Sequence, residues 1–193
     1  LVEYTVDQAR KYGVPVRSVN PVVGECNDSA LNRITERILG IPEVMQAIES
    51  ACEDFAEGDV GAGKGTSCFG LKGGIGSASR MFTVGGETYT LGVLVQSNFG
   101  STQDLRIDGQ PIGREIAAVI QKSEPDKGSI MIIAATDLPV TDRQLRRIVK
   151  RAGVGLARLG SYWGHGSGDV VIGFSTAQSF QEAEEAGTLS VRM

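Results

Sequence analysis

The stretch GDVGAGKGTSCFGLKGGIGSASR, residues 58–80, holds eight glycines and opens with G-x-x-x-x-G-K at Gly58, Gly63 and Lys64. Read as a phosphate-binding loop, it would make this a nucleotide-binding protein. Read as glycines that let strands bend and backbones approach closely, it belongs in a layered sheet protein. A phosphate loop needs Ser or Thr directly after its Lys to ligand Mg²⁺, and it joins a strand to a helix. Here Gly65 follows Lys64, the residues before the stretch read as helix, and Thr66–Lys72 reads as strand. The phosphate-loop reading fails on both counts. A nucleotide-binding module is the weakest of the functional alternatives.

Downstream, Met81–Val84 and Glu87–Gln96 flank Gly85-Gly86, which predicts a β-hairpin because both turn positions tolerate positive φ. Residues Ser101–Lys127 are polar and charged, with Gly109, Pro111 and Pro125, and predict a long surface connection with one short helix around Glu115–Gln121. Ser129–Thr136, SIMIIAAT, is a short apolar run of the buried-strand kind. Thr141 and Gln144 form a capping-box pattern. The helix after it puts Leu145, Ile148, Val149, Ala152, Leu156 and Leu159 on one face and ends at Gly160. Val170–Phe174 predicts a further strand, and the glutamate-rich tail past Gln178 predicts a helix.

Upstream, Asp28–Phe55 reads as a helix broken at Gly40. Asp28 or Ser29 caps a first piece carrying Leu31, Ile34, Ile38 and Leu39. Pro42 sits in the first turn of a second piece bearing Val44, Met45, Ile48, Cys52 and Phe55, and Gly58 is the expected stop. No repeat is visible. Segregated strand and helix runs favour a layered α+β sandwich over alternating βαβ units.

The chain of 193 residues suffices for one domain. Hydrophobic residues at 41% and charged residues at 22% are ordinary for a soluble protein. A net charge of −4 gives no support to a nucleic-acid-binding surface. No apolar run is long enough to span a membrane, and no charged-then-apolar leader follows Leu1. Cys26, Cys52 and Cys68 are odd in number and unrelated in spacing, which argues against a disulfide framework or a Cys-x-x-Cys metal site. Cys52 and Cys68 read as small core residues. His165 is the single histidine, which with no cysteine cluster argues against a dedicated zinc site; no metal or organic cofactor is called for, and the cysteine usage points to a reducing, cytoplasmic setting.

Five segments taken together are more specific than any one motif: PVVGECNDSALN (21–32), residues 58–80, YTLGVLVQSNFG (89–100), GSIMIIAATDLP (128–139) and GSYWGHGSGDVVIGFSTA (160–177). In order and spacing the sequence resembles the L-aminopeptidase/D-esterase family, which includes the β-aminopeptidases, over most of the chain from Pro21 onward. The resemblance implies an α+β fold, a four-layer αββα sandwich of N-terminal-nucleophile-like architecture. It implies a single peptidase domain made as a precursor that cuts itself before a serine, here at Gly128–Ser129. Residues 1–128 would then belong to the large chain and 129–193 to the small chain of the mature enzyme. This chain would be an incomplete piece, with further strands ahead of Leu1 and further helix and strand beyond Met193. In such proteins the glycine loop shapes the sandwich near the active site.

The residues suit that chemistry. A freed Ser129 would carry an α-amine with an ordinary pKa of about 7.7–8.0, close enough to neutral to act as local base. Gly128 can adopt backbone angles closed to other residues, so a strained scissile peptide is expected there. By local sequence alone Ser129 reads as a loop-to-strand serine; the resemblance makes it the nucleophile.

Ser167 and Asp169, in G-S-G-D, match the pair that hydrogen-bonds around the nucleophile and its amine, although the family often has Glu at the second position. Asn98 matches the side-chain amide that helps bind the oxyanion. Glu25 matches the carboxylate that holds the substrate's free amino group. Asn27 stands where an aromatic residue, usually Tyr, is expected, which implies a weaker oxyanion hole, replacement by the Asn27 amide, or a changed substrate. Without the resemblance, Asn27 and Asn98 read as turn residues, Glu25 as a surface charge, and Ser167 and Asp169 as loop-to-strand punctuation. The family needs no catalytic histidine, and His165 reads as an exposed loop residue.

The implied activity is removal of an N-terminal aminoacyl group from small peptides, amides or esters by a homo-oligomer of cleaved heterodimers, with no nucleic-acid or membrane partner. Two alternatives stand beside it. One is an acyltransferase like the ornithine acetyltransferases, which use Thr as nucleophile. The other is an inactive homologue acting as a binding or structural protein, kept open by Asn27 and Asp169.

Overall fold

The computed structural model describes residues 1–121, 128–166, 168–182 and 189–192. In chain order its elements are α1 (Val2–Lys11), α2 (Ile41–Glu49), β1 (Ser67–Cys68), β2 (Leu71–Lys72), β3 (Gly74–Val84), β4 (Glu87–Asn98), α3 (Gly113–Ile120), β5 (Ser129–Thr136), α4 (Asp142–Val149), α5 (Ala152–Arg158), β6 (Val170–Ser175), β7 (Ser179–Glu182) and β8 (Leu189–Arg192). The main sheet has four strands in the order β3-β4-β5-β6. Its first three strands are antiparallel, and β6 runs parallel to β5.

The hairpin between β3 and β4 turns at Gly85 (φ 63°) and Gly86 (φ 91°), the pair of positive angles that a tight two-residue hairpin loop demands. Its register follows, from Val84 opposite Glu87 to Gly74 opposite Ser97.

Alternation along β5 sorts its side chains between the two faces of the sheet. Ile130, Ile132, Ala134 and Thr136 are buried on one face. There Ile130 and Ile132 join Phe69, Phe99, Leu105 and Leu156 in the core, with Ile112, Ile116 and Ala152 packed against them. This is the helical side: a Cβ added to Gly173 of β6 would lie 2.3 Å from Val149 Cγ1 of α4. Phe69 and Phe99 meet edge to face with centroids 5.1 Å apart. The other face bears Ile75, Leu94, Gln96, Met131, Ile133, Ile172 and Phe174, which with Val22 and Gly24 line a shallow hollow of about 400 Å³. Phe174 is 47% exposed there, so this face is largely open in the chain.

The glycine-rich stretch forms no phosphate loop. Gly61–Gly65 is a short 3-10 turn, and Gly58 bridges to Ile75 of β3. A Cβ on Gly63 would lie 2.6 Å from Gly58 O, and one on Gly73 would lie 2.5 Å from Ser97 O. These glycines allow backbone to lie on backbone. Lys72, not Lys64, ties the loop down, with Nζ donating to Gly63 O at 2.5 Å and Gly73 O at 2.8 Å.

Several expectations hold in detail. The strand Ser129–Thr136 has the predicted bounds, and α3 lies where one short helix was expected. The Thr141–Gln144 capping box closes, with the Gln144 N–H on Thr141 Oγ1 at 3.4 Å and the Thr141 N–H on Gln144 Oε1 at 2.9 Å.

Others need correction. The first helical piece after Asp28 shrinks to a 3-10 turn at Ile34–Glu36, and α2 stops at Glu49, short of Cys52 and Phe55. Cys52 is exposed rather than a core residue, because it lies past the helix whose inner face was to bury it. Gly58 therefore ends no helix. The expected helix after Thr141 divides into α4 and α5 at Lys150–Arg151. Past Gln178 the described residues are strands where a helix was expected: Ser179–Glu182 (β7) pairs antiparallel with Leu189–Arg192 (β8). Residues 122–127 and 183–188, and with them the end of the long connection, lie outside the described residues. The helix α1 carried no expectation at all.

Candidate active site

Ser129 opens β5, and its register partner across the ladder is Asn98, the last residue of β4. Both therefore sit at one end of the sheet. Asn98 is 8% exposed and fixed at both ends of its amide. Its Oδ1 accepts from the Ser67 N–H at 3.0 Å, and its Nδ2 donates to Asn27 O at 2.8 Å. The Asn98 amide is thus oriented by backbone on two sides. An Nδ2 has two hydrogens, and the second is the one an oxyanion would use.

The same bond to Asn27 O moors the Glu25–Asn27 segment on the sheet end. Cys26 completes the mooring: its Sγ donates toward Gln96 O at 3.6 Å and Ser129 O at 3.7 Å, and the residue is 5% exposed. Burial pushes the Cys26 thiol above its ordinary pKa, and the Glu25 and Asp169 carboxylates add to the shift. The Ser129 side chain and the Met131 backbone pull partly against it. Glu25 and Asn27 are exposed on either side of the buried cysteine. Asn27 Oδ1 accepts from the Ser29 N–H at 2.9 Å, an Asx-turn bond that holds the side chain over its own chain.

Gly168 and Asp169 approach from the strand neighbouring β5 on its other side. The Gly168 N–H donates to Gly128 O at 3.3 Å, the carbonyl of the Gly128–Ser129 peptide. Asp169 is half-buried. Glu25, Asn27, Asn98, Gly128, Ser129 and Asp169 are therefore gathered at one end of the sheet. Ser167 lies outside the described residues. His165 is exposed on its turn, and Cys68 is half-buried against the core. Among the described residues no group of three or more His, Cys, Asp and Glu could hold a metal ion.

Gly128 is required for a reason other than the one expected. Its φ is outside the positive range, so no left-handed strain is stored there. Instead, a Cβ would lie 1.8 Å from Asn98 O and 2.5 Å from Phe99 Cα. Gly128→Ala should therefore force the ends of β4 and β5 apart. The expected outcome is a loss of roughly 1–3 kcal/mol from overpacking and a marked slowing of any cleavage at Ser129, read by thermal melting and denaturing mass spectrometry.

Three participants were not legible in the sequence. Cys26 stands between two residues singled out for chemistry, and its burial between exposed neighbours carries no residue-type signal. The Ser67 and Gly168 backbone N–H groups carry no residue-type signal.

Fold and site define a class. The L-aminopeptidase D-Ala-esterase/amidase from Ochrobactrum anthropi, a prototype for the serine aminopeptidases and a variant of the Ntn hydrolase fold, superposes with a TM-score of 0.85 at 37% identity, over 100% of this chain and 53% of its own. The α+β fold here is that Ntn-hydrolase variant. The PH0078 protein from Pyrococcus horikoshii OT3 superposes with a TM-score of 0.81 at 51% identity, over 92% of this chain and 48% of its own. Beta-peptidyl aminopeptidase BapA from Sphingosinicella microcystinivorans is 40% identical over 186 residues, 89% of this chain and 47% of that protein. The profile of peptidase family S58 matches residues 1–192, and the chain belongs to that family. It spans about half the length of these relatives.

Proposed function

We propose that the full-length protein is a self-processing serine aminopeptidase that removes an N-terminal aminoacyl group from small peptides, amides or esters. The observation that carries this reading is the register of Ser129, at the head of a central strand, opposite the tethered amide of Asn98. In self-processing, Ser129 Oγ adds to the Gly128 carbonyl carbon and the C–N bond breaks. The proton lost by the hydroxyl passes to the departing amine. Water then hydrolyses the Gly128 ester, releasing the Gly128 carboxylate and the Ser129 hydroxyl. The Gly168 N–H on Gly128 O favours this step by stabilising charge on that oxygen.

The freed Ser129 amine then serves as base for its own hydroxyl toward substrate. In this reading Asn98 donates to the oxyanion, Ser167 and Asp169 orient the nucleophile and amine, and Glu25 anchors the substrate's amino group. Asn27 lies at the substrate side, with its oxygen engaged by Ser29. The peptidases named above support a peptide-like substrate. A cytoplasmic setting and a homo-oligomer of cleaved heterodimers complete the proposal. Among the described residues the cysteines form no disulfide, and no helix is long and apolar enough to cross a membrane.

Intact mass under denaturing conditions tests the reading on the full-length protein. Two fragments are expected, the smaller beginning at Ser129, together with hydrolysis of a β- or L-aminoacyl amide. Acyl transfer to an added amine in preference to water would move the assignment to the acyltransferase alternative. A single uncut chain without hydrolysis would move it to an inactive homologue.

A further inference from the structure

Cys26 is a buried thiol that the chemistry above does not use, yet it lies against the backbone of the proposed nucleophile. Its Sγ lies 3.7 Å from Ser129 O and 3.6 Å from Gln96 O, so it bridges the adjacent strands β4 and β5 where the site begins. The chain around it has little freedom to lift away. A Cβ on Gly24 would lie 2.2 Å from Met131 Cε, so the segment lies flush on the sheet, and Asn98 Nδ2 holds the following residue by its carbonyl.

We propose that Cys26 is a positioning residue for Ser129, fixing the placement of its carbonyl at the head of the strand so that Oγ stays aimed at the carbon it attacks. The inference rests on reading Ser129 as the nucleophile. It assigns Cys26 no bond-making role. Burial and the neighbouring Glu25 and Asp169 carboxylates keep the sulfur a neutral thiol near neutral pH, so no thiolate competes with the serine. A thiol suits the place physically. It is a weak donor that behaves as a small apolar residue, and can lie buried on a sheet face without demanding a full hydrogen bond. A hydroxyl at the same position keeps a donor there but reaches a few tenths of an ångström less far.

The test compares the full-length protein with Cys26→Ser, which keeps a donor, and Cys26→Val, which fills the space without one. Cys26→Ala and Ser129→Ala complete the set. Self-cleavage is followed by denaturing mass spectrometry, turnover as separate kcat and KM, and folding by melting temperature. Cys26→Val is expected to lower kcat and the rate of self-cleavage about tenfold with KM within about twofold, since a misaimed nucleophile loses rate rather than binding. Cys26→Ser is expected to recover both rates to within about threefold of the parent, even if it melts lower than Cys26→Val.

Parental rates in Cys26→Val would overturn the inference while leaving Ser129 as nucleophile. So would rates that follow melting temperature across the three Cys26 variants, with Cys26→Ser slowest, because that is the behaviour of a packing residue. If Cys26→Ala fails to fold, the Ser and Val pair still decides. A parent that is never cut and never turns over removes the nucleophile itself, and both readings fall together.

Discussion

Full-length protein carrying Ser129→Ala is expected to run as one uncut chain and to hydrolyse aminoacyl amides at the background rate. Deleting Oγ removes the atom that, in the proposed reading, would attack the Gly128 carbonyl and later carry the acyl group of a substrate. Loss of a serine nucleophile costs on the order of 10⁶ in kcat in a well-studied hydrolase. The substitution should leave the fold intact. Ser129 is half-buried, and a hydrogen bond of its hydroxyl is of a kind worth only about 0.5–1.5 kcal/mol. Its strand keeps its backbone pairings on both sides. An uncut chain with a near-parental melting temperature would therefore separate chemistry from folding. Cleavage at 128–129 in the variant would place the nucleophile elsewhere.

Asn98 offers the second large effect, and two substitutions are needed to read it. Asn98→Ala removes the proposed oxyanion donor, and losing such a donor costs roughly 10²–10³ in kcat, or about 2.7–4 kcal/mol. It also leaves the Ser67 N–H and Asn27 O without their partner, and because both bonds are only part-buried, water offsets much of the roughly 1–3 kcal/mol that a buried orphan costs. Asn98→Asp keeps the acceptor for Ser67 and loses the donor, while placing a negative charge where the oxyanion forms. If Asn98 serves the transition state, Asn98→Asp should fold better than Asn98→Ala yet be at least as slow, with the loss in kcat rather than KM. If the residue is only a tether, activity should follow stability, and Asn98→Asp should be the more active of the two.

The legible parts of the fold were those where side-chain pattern and backbone demand agree. The run SIMIIAAT has no competing reading, and Gly85-Gly86 between alternating residues leaves the chain one tight way to turn. Thr141 and Gln144 encode a cap through their own hydrogen bonds. The misread parts are those where local propensity is outvoted. Leu31, Ile34, Ile38 and Leu39 have helical spacing, yet all are more than half exposed, so no packed face holds a helix there. Ser179–Glu182 and Leu189–Arg192 likewise pair as strands where a helix was expected.

The site follows a similar division. Asn98 and Ser129 could be named from motifs, but their placement opposite one another depends on a register accumulated along the whole β4–β5 ladder. Cys26 escaped notice because its character comes from burial rather than from residue type. Gly128 was singled out for backbone freedom, whereas the carbonyl of Asn98 leaves no room for a side chain.

The strand that begins at Ser129 is interior to its sheet, paired over eight residues with β4 on one side and over six with β6 on the other. Severing the chain just ahead of such a strand releases nothing, since the ladder holds what the peptide bond no longer does. A protein nicked there would elute as one body from a sizing column and part only in denaturant. The covalent link would matter on the first descent to the folded state, when the two segments find each other as parts of one molecule. After the cut, a second descent becomes an encounter between separate chains, slower with every dilution. Persistence of the mature form would then be governed by how slowly it opens rather than by how readily it re-forms.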